Sequence, residues 1–325
     1  MRNYIILDLE WNQCSGGKLK ENREIPFEIV EIGAIKLDEN KRIIEKYSQL
    51  IKPQVYLQMH YMTKKIIHIN MDELEEGKEF SIVIEDFLKW CGDDYIFCTW
   101  GSLDLLELQR NMQFYKLDPL SKGPIMFLDI QKMFSIAYKE GKLRRSLEYA
   151  VDFLNIEKDE EFHRAISDAY YTAKVFAHLN SKSAESHFSI DVYHIPRSEE
   201  EEIFVTFDDY SKYISRDFKN KTVALADKEV TSTRCYICGK NAKRKIKWFS
   251  VNMKHYYSLS FCNHHGYLRG KIRIKKTEDG KIYIIKTLKL INEEEAMNLI
   301  EKKNHIKEIK KVKRKIEQKE KKELI

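Results

Sequence analysis

Apolar positions alternate and then run together near the start of the chain, a pattern that predicts β-strands. Three such runs cover residues 3–10, 25–37 and 43–51, and Pro53 stops the last of them. Short strands that follow one another in this way predict an antiparallel three-stranded opening.

Further along the chain, apolar residues recur at helical spacing, first on one face of residues 80–91. A short aromatic strand then leads into a helix. The later segments are a strand at 95–100, a helix at 103–114, and helical or mixed stretches at 127–138, 146–154 and 165–179. Strands followed by interleaved helices predict an α/β fold, with a sheet covered by helices, in a first domain of residues 1–180.

The pattern changes after residue 180. Two polar runs predict a connecting segment at residues 181–220. Short strands with turn residues between them then predict a small β-rich module at residues 221–291. Residues 292–325 hold no Gly or Pro and are rich in Lys and Arg, which predicts a basic helical tail.

Length and composition agree with this division. A chain of 325 residues exceeds what one core usually organises, and 43% hydrophobic with 33% charged residues is typical of a soluble globular protein. No signal peptide or membrane-spanning run is visible, and the six cysteines lack a disulfide-like spacing. We therefore expect a cytoplasmic protein with no membrane partner.

Charge is distributed unevenly along the chain. Residues 1–190 carry 25 Lys and Arg against 31 Asp and Glu, whereas residues 191–325 carry 32 against 20. The basic half is typical of a protein that binds a polyanion, although an ordinary solvated basic surface gives the same count.

Asp8 and Glu10 lie two residues apart in the first predicted strand. A strand has a side-chain period of two, so both carboxylates are expected on one face, where their repulsion favours a divalent cation between them. The alternative is a chance acidic pair on a solvent-facing strand.

Three further residues complete a candidate constellation. Asp104 follows the strand at 95–100, and His163 precedes Asp168 by five residues at the start of the last predicted helix. Each has an ordinary explanation by itself, because acids are favoured near helix N-termini and a lone histidine is usually a surface residue. Together with Asp8 and Glu10, however, their order along the chain indicates one site.

The motifs Asp8-Leu9-Glu10, Trp100 to Asp104, and His163 to Asp168 resemble those of the DEDDh exonuclease superfamily, over about residues 1–180. The segments Glu28 to Ala34 and Ser146 to Ala150 also look like that family. The spacing is closest to the RNA-trimming branch, with ribonuclease T and the histone-mRNA exonucleases. This resemblance implies a ribonuclease-H-like fold.

The resemblance also implies a reaction. It is 3′→5′ exonuclease cleavage of single-stranded nucleic acid, RNA favoured over DNA, that releases 5′-mononucleotides with two Mg²⁺ or Mn²⁺ ions. Asp8 would bridge both ions, Glu10 and Asp168 would hold the ion that carries the water, and Asp104 would support the second. His163 would be the general base. The alternatives are a DNA exonuclease and an inactive protein that binds nucleic acid through its zinc module; no small-molecule cofactor is expected.

Leu9, Trp11 and Trp100 are candidate substrate-binding residues. Many relatives have a small polar pair where this chain has Trp11-Asn12, so the recognition of the substrate end is expected to differ. Trp11 is placed to stack on a terminal base, and it is equally well explained as a packing residue.

The second half carries a Cys-x-x-Cys pair and a Cys-x-x-His pair, namely Cys235, Cys238, Cys262 and His265, with His264 as a substitute ligand. Three thiolates and one imidazole make a closed tetrahedral zinc site, which supports folding rather than catalysis. The alternatives are a redox Cys-x-x-Cys pair and three structural thiols.

Basic residues surround these cysteines and alternate with aromatic ones. This mixture is typical of single-stranded nucleic-acid binding by phosphate contacts and base stacking. The tail is expected either to add non-specific affinity or to form a solvated, partly frayed helix. Protein partners are not indicated.

Overall fold

The computed structural model describes residues 2–67, 69–140, 143–179, 188–191, 193–277 and 279–323. The backbone divides into two compact units, Met1–His194 and Ile195–Ile325. No helix among the described residues combines the length and the apolar character needed to cross a membrane.

A six-stranded mixed sheet forms the centre of the first unit within its described residues. Its strands are β1 (Asn3–Gln13), β2 (Phe27–Leu37), β3 (Ile43–Leu50), β4 (Tyr95–Thr99), β5 (Met126–Asp129) and β6 (Ser189–Ile190), in the order β3-β2-β1-β4-β5-β6. The first three strands are antiparallel, as the sequence predicts, and β4 and β5 join parallel to β1.

Helices cover both faces of this sheet. They are α1 (Tyr61–Ile66), α2 (Met71–Glu75), α3 (Phe80–Cys91), α4 (Leu103–Phe114), α5 (Ile130–Ala137), α6 (Leu147–Phe153) and α7 (Ala165–His178). One apolar core joins the sheet to α5, α6 and α7, and a second joins it to α3 and α4. β2 is buried along nearly its whole length because it lies between these two layers, as its continuous apolar run requires.

The second unit contains an antiparallel sheet. Its strands are β7 (Ile203–Thr206), β8 (Tyr210–Ile214), β9 (Lys243–Ser250), β10 (His255–Cys262), β11 (Gly266–Lys276) and β12 (Ile282–Ile291), in the order β7-β8-β12-β11-β10-β9. Its helices are α8 (Lys221–Ala226), α9 (Lys228–Thr231) and α10 (Glu293–Glu323). The predicted fold class, a mixed sheet flanked by helices followed by a β-rich module and a terminal helix, is confirmed.

The elements that the sequence pattern missed are short or polar. Residues 203–214, inside the predicted connecting segment 181–220, form β7 and β8, whereas 181–187 and 192 lie outside the described residues. The stretch 127–138 begins with β5 before α5 starts. At β9 the sequence predicts only a basic run, because exposed lysines hide the strand alternation. The division into functional domains stays a prediction.

Candidate active site and metal centres

Asp8, Glu10 and Asp168 converge at the centre of the first unit. Their carboxylates each offer an oxygen within 4.8 Å of the others, and all three side chains are half-buried. Asp8 and Glu10 share one face of β1, as the strand period requires, and Asp168 comes from the first turn of α7. Oxygen atoms in this arrangement suit a hard divalent cation.

Asp104 stands beside this group in the first turn of α4, where it is 6% exposed. The backbone N–H of Leu9, between the two acids of β1, donates a hydrogen bond to its carboxylate. This contact holds α4 against β1. Asp104 lies close enough to Asp8 for its charge to raise the pKa of that carboxyl, so the fourth acid neighbours the cluster.

The four carboxylates hold their protons more tightly than ordinary acids. Burial raises the pKa of Glu10 to about 8, that of Asp104 to about 7 and that of Asp168 to about 6. Burial also raises the pKa of Asp8 well above its usual range, with added repulsion from the other three acids. A bound divalent cation would offset this repulsion between the carboxylates.

Two residues of β2 bring α7 to this cluster. Gly33 lies directly opposite Asp8, and a Cβ at Gly33 would lie 2.0 Å from the backbone carbon of Ala165. Glu31 is fully buried and pairs with Arg164 at 2.8 Å, while it accepts the N–H of Ala165 at 3.0 Å. The glycine permits the close approach of the helix, and the carboxylate satisfies its first turn.

His163 precedes α7 in a left-handed conformation, with φ 68°. Its side chain is exposed, and its backbone N–H lies 3.4 Å from Asp168 Oδ1. It lines a cleft of about 500 Å³ together with Asp168, Trp100 and Phe162. The imidazole is therefore at the open side of the acidic cluster.

Trp100 is fixed on the wall of this cleft. Its indole Nε1–H donates to the carbonyl of Arg145 at 3.2 Å, and Gln131 donates to the same carbonyl at 2.8 Å. These bonds also hold residues 144–146 beside the cleft.

The other two candidate substrate-binding residues lie elsewhere on β1. The Leu9 side chain is 3% exposed in the core between the sheet and α4, so only its backbone could meet a ligand. Trp11 is half-buried and packs against Phe27 at 5.7 Å, just after an irregularity in the β1–β2 register. The packing explanation of Trp11 is thus supported by a contact, and the substrate contacts of all three residues stay predictions.

Sequence reasoning assigned no role to several residues that shape the site. For Glu31 and Gly33 the sequence pattern predicts only a strand, although an acid within an apolar run indicates a buried partner. Glu28 accepts the backbone N–H groups of residues 54–56, and Asn12 bonds the backbone of residues 56–60. These two side chains anchor the loop that follows β3.

The second unit brings Cys235, Cys238, Cys262 and His265 together. Cys238 Sγ lies 3.6 Å from Cys262 Sγ, and His265 Nδ1 lies 3.6 and 3.7 Å from the sulfurs of Cys235 and Cys262. A tetrahedral zinc ion with bonds of about 2.3 Å separates its sulfur ligands by about 3.8 Å, whereas a disulfide bond is about 2.05 Å long. The cluster therefore fits zinc.

Two further features agree with this fit. Backbone N–H groups, that of His264 first, lower the pKa of the Cys262 thiol to about 6, which favours the thiolate that zinc binds. His264 instead places Nε2 3.0 Å from Lys240 Nζ. Of the two adjacent histidines, His265 is the one beside the sulfurs.

Comparisons with known proteins concern the first unit. A family model described as exonuclease matches residues 5–176. The DNA polymerase III PolC-type of Bacillus subtilis (strain 168) is 26% identical over 182 residues, which are 56% of this chain and 12% of that protein. The chain thus matches a small part of that polymerase.

Two solved structures are similar to the same region. The nuclease domain of 3′hExo, a DEDDh family member bound to rAMP, has a TM-score of 0.50 at 18% identity, covering 58% of this chain and 97% of that one. A 3′-exonuclease solved for 3′-end specific recognition of a histone mRNA stem-loop has a TM-score of 0.48 at 18% identity, covering 60% and 92%. The first of these shows a shared fold.

Proposed function

We propose that this chain, which belongs to the RNase T exonuclease family, removes nucleotides from the 3′ end of single-stranded nucleic acid, with RNA preferred, by metal-dependent hydrolysis. The observation that carries the proposal is the convergence of Asp8, Glu10 and Asp168 within 4.8 Å, with Asp104 beside them and His163 at the rim. Metal-dependent hydrolysis needs clustered carboxylates, whereas a protein that only binds nucleic acid gains nothing from acids that repel one another and the phosphates.

The four carboxylates would hold two Mg²⁺ or Mn²⁺ ions. Oxygen donors that repel one another in a half-buried site fit hard cations better than zinc. When bound, the ions activate a water molecule and neutralise charge on the phosphodiester and its leaving oxygen. Asp8 would bridge both ions, and its carboxylate is repelled by Asp104, Asp168 and Glu10.

His163 would accept the proton of the attacking water. It has the exposure and the position for this role, since its side chain lines the same cleft as Asp168. The hydrogen bond from its backbone N–H to Asp168 ties the position of the imidazole to that of the carboxylate.

The cleft beside His163 would hold the terminal nucleotide. Trp100 and Phe162 line it, and aromatic faces bind unpaired bases. Cleavage at the 3′ end and the preference for RNA rest on the DEDDh motifs. DNA is the second candidate substrate, favoured by the similarity to part of a DNA polymerase.

Digestion of matched RNA and DNA oligonucleotides tests this proposal. With Mg²⁺ or Mn²⁺, a 5′-labelled strand should give a ladder that shortens stepwise, and a 3′-labelled strand should release labelled mononucleotide at once. Asp8→Asn should abolish both signals, whereas Asp118→Asn, at an exposed acid outside the site, should leave them unchanged. Equal activity of the two variants would disprove the active site, and faster loss of DNA would reverse the substrate preference.

We further propose a reducing, cytoplasmic location, because no disulfide joins the described cysteines.

A further inference from the structure

A basic cleft of about 690 Å³ lies in the second unit. Five basic residues line it, namely Lys228, Arg234, Arg244, Lys245 and Lys247, with Glu229 as an acidic neighbour. All five cations are exposed, and none pairs with an acid among the described residues. A group of exposed cations without acidic partners is the electrostatic signature of an anion site.

The cations come from three separate segments. Lys228 belongs to α9, Arg234 to the loop before the zinc cluster, and the other three to β9, an edge strand of the described sheet. Lysines on an edge strand also discourage pairing with another chain. That explanation does not account for Lys228 and Arg234, which reach the same cleft from outside the strand.

Hydrogen bonds from a buried lysine and a half-buried tryptophan fix the rim of the cleft. Lys286, 2% exposed, donates to the carbonyls of Glu229 and Ser232, and Trp248 Nε1–H donates to the carbonyl of Thr231 at 2.9 Å. On the other side, Cys235 N–H donates to the carbonyl of residue 240 at 2.9 Å, so the zinc cluster holds the second wall. The backbone segments that carry the basic residues are therefore held in place by hydrogen bonds.

No aromatic residue is among the described residues that line this cleft. The Trp248 ring occupies the space above Gly270, where a Cβ would lie 2.5 Å from it. Tyr256 is 9% exposed, and Phe249 and Tyr257 pack on the core. The stacking that the sequence suggested therefore lacks exposed rings at this cleft, which leaves the phosphates as the part of a nucleic acid that it can bind.

We propose that this cleft binds the phosphate backbone of single-stranded nucleic acid, independently of base sequence. The proposal rests on the proposed function, since an exonuclease supplies the polyanion. A second site lets the chain retain a long substrate between successive cleavages. Binding of this kind weakens with salt, because each neutralised phosphate releases counterions.

Binding should be measured in the full chain carrying Asp8→Asn, which leaves the oligonucleotide intact. The cleft variant is Arg244→Gln/Lys245→Gln/Lys247→Gln. For fluorescent single strands of about 16 nucleotides, it should lower the slope of log K against log salt by about 2 and the affinity by roughly tenfold. RNA and DNA of different base composition should show the same loss.

The matched control is Arg273→Gln/Lys275→Gln/Lys276→Gln, which removes the same charges from exposed positions of β11 outside the cleft. It should change slope and affinity much less. Equal effects of the two variants would overturn the cleft and indicate diffuse attraction. Competition by oligoglutamate as strong as by RNA of equal charge would also overturn it, in favour of an acidic protein partner.

Measurements of cleavage distinguish a failure of this proposal from a failure of the proposed function. With Asp8 intact, the cleft variant should hydrolyse a dinucleotide at the wild-type rate and a long strand more slowly at low substrate concentration. A wild-type chain that cleaves neither substrate would disprove the exonuclease proposal, while the binding comparison would still decide the cleft.

Discussion

Glu10, Asp104 and Asp168 keep their protons to higher pH than ordinary carboxylates, and this sets the direction of the pH dependence. Their folded pKa values of about 8, 7 and 6 exceed the ordinary values near 4. Between pH 4 and 8 the folded chain therefore binds more protons than the unfolded chain, and metal-free stability falls as pH rises. Cations compete with the same protons, so the affinity for Mg²⁺ or Mn²⁺ should rise from pH 6 to 8.

The first prediction concerns Asp8→Asn. Removing one of four repelling charges should raise the melting temperature of the chain by roughly 2–4 °C at pH 8 without divalent cations, and much less at pH 5. Activity should fall by more than about 100-fold. Calorimetry after dialysis into Mg²⁺-free buffer measures the first effect, with Asp118→Asn as the control. An equal change at both pH values would assign the effect to packing rather than to charge.

The second prediction concerns His163→Gly. Glycine adopts the left-handed backbone without strain, so the fold should persist while kcat falls by about 10²–10⁴. Mn²⁺ affinity should stay within about twofold of wild type, because the imidazole is not among the clustered ligand atoms. Added imidazole should restore part of kcat. Failure of rescue together with weakened Mn²⁺ binding would make His163 a structural residue.

For single residues, the sequence predicted the four acids and the histidine, because their types and their order along the chain are enough to indicate a metal-dependent site. It did not predict the role of Gly33, which depends on the backbone of α7 packing directly against this glycine. The ion pair between buried Glu31 and half-buried Arg164 joins residues 133 positions apart, and no local pattern predicts it.

At the scale of elements, β2 and α7 decide whether the acids meet. The antiparallel register places Gly33 opposite Asp8, and the backbone of α7 lies across that glycine. β1 therefore carries Asp8 and Glu10, and α7, packed on β2, brings Asp168 to them. The two elements have to pack closely for one cation to contact all of them.

The third prediction follows from this packing. Gly33→Ala puts a Cβ about 2 Å from backbone atoms of Ala165 and Ile166, which cannot give way as a side chain can. Stability should fall by about 1–3 kcal/mol or more, and Mn²⁺ affinity should fall with it. Gly123→Ala is the control, since a Cβ there meets nothing within 4 Å. Denaturant unfolding and Mn²⁺ titration measure both effects, and a Gly33→Ala variant with normal Mn²⁺ affinity would contradict this account.

Elements with strong apolar periods were predicted, and those without them were not. β1 and β2 stand out because each buries at least one face, whereas β3 was predicted from its apolar residues although it is only partly buried at its end. β9 escapes the period because its exposed side carries lysines, and β6 spans only two residues. Their places in the sheets depend on pairing with distant strands, which no short window of sequence contains.

At the scale of the whole molecule, the chain has two compact units with different chemistry. The first, Met1–His194, holds the carboxylate cluster, and the second, Ile195–Ile325, holds the cluster of three cysteines and one histidine and the basic cleft. The sequence signalled this division by its charge asymmetry and its two motif sets. The boundary was harder to predict, because β7 and β8 are short and lie in a polar stretch.

The fourth prediction tests whether the units depend on each other. Cys238→Ser removes one of the four proposed zinc ligands, and structural zinc contributes about 10–16 kcal/mol to the folding of small zinc-finger peptides. We expect the variant to lose one zinc per chain, as measured by mass spectrometry, and the second unit to melt at a lower temperature. Dinucleotide cleavage should continue, because the carboxylates lie in the first unit.

The control for this experiment is Cys14→Ser, a half-buried thiol outside the cluster, which should keep both zinc and melting behaviour. Retention of zinc by Cys238→Ser would refute the ligand assignment. A parallel loss of dinucleotide cleavage would show that zinc supports the catalytic unit as well. If instead only long-strand binding weakens, the zinc cluster acts through the wall of the basic cleft, because Cys235 and residue 240 hold that wall by a backbone hydrogen bond.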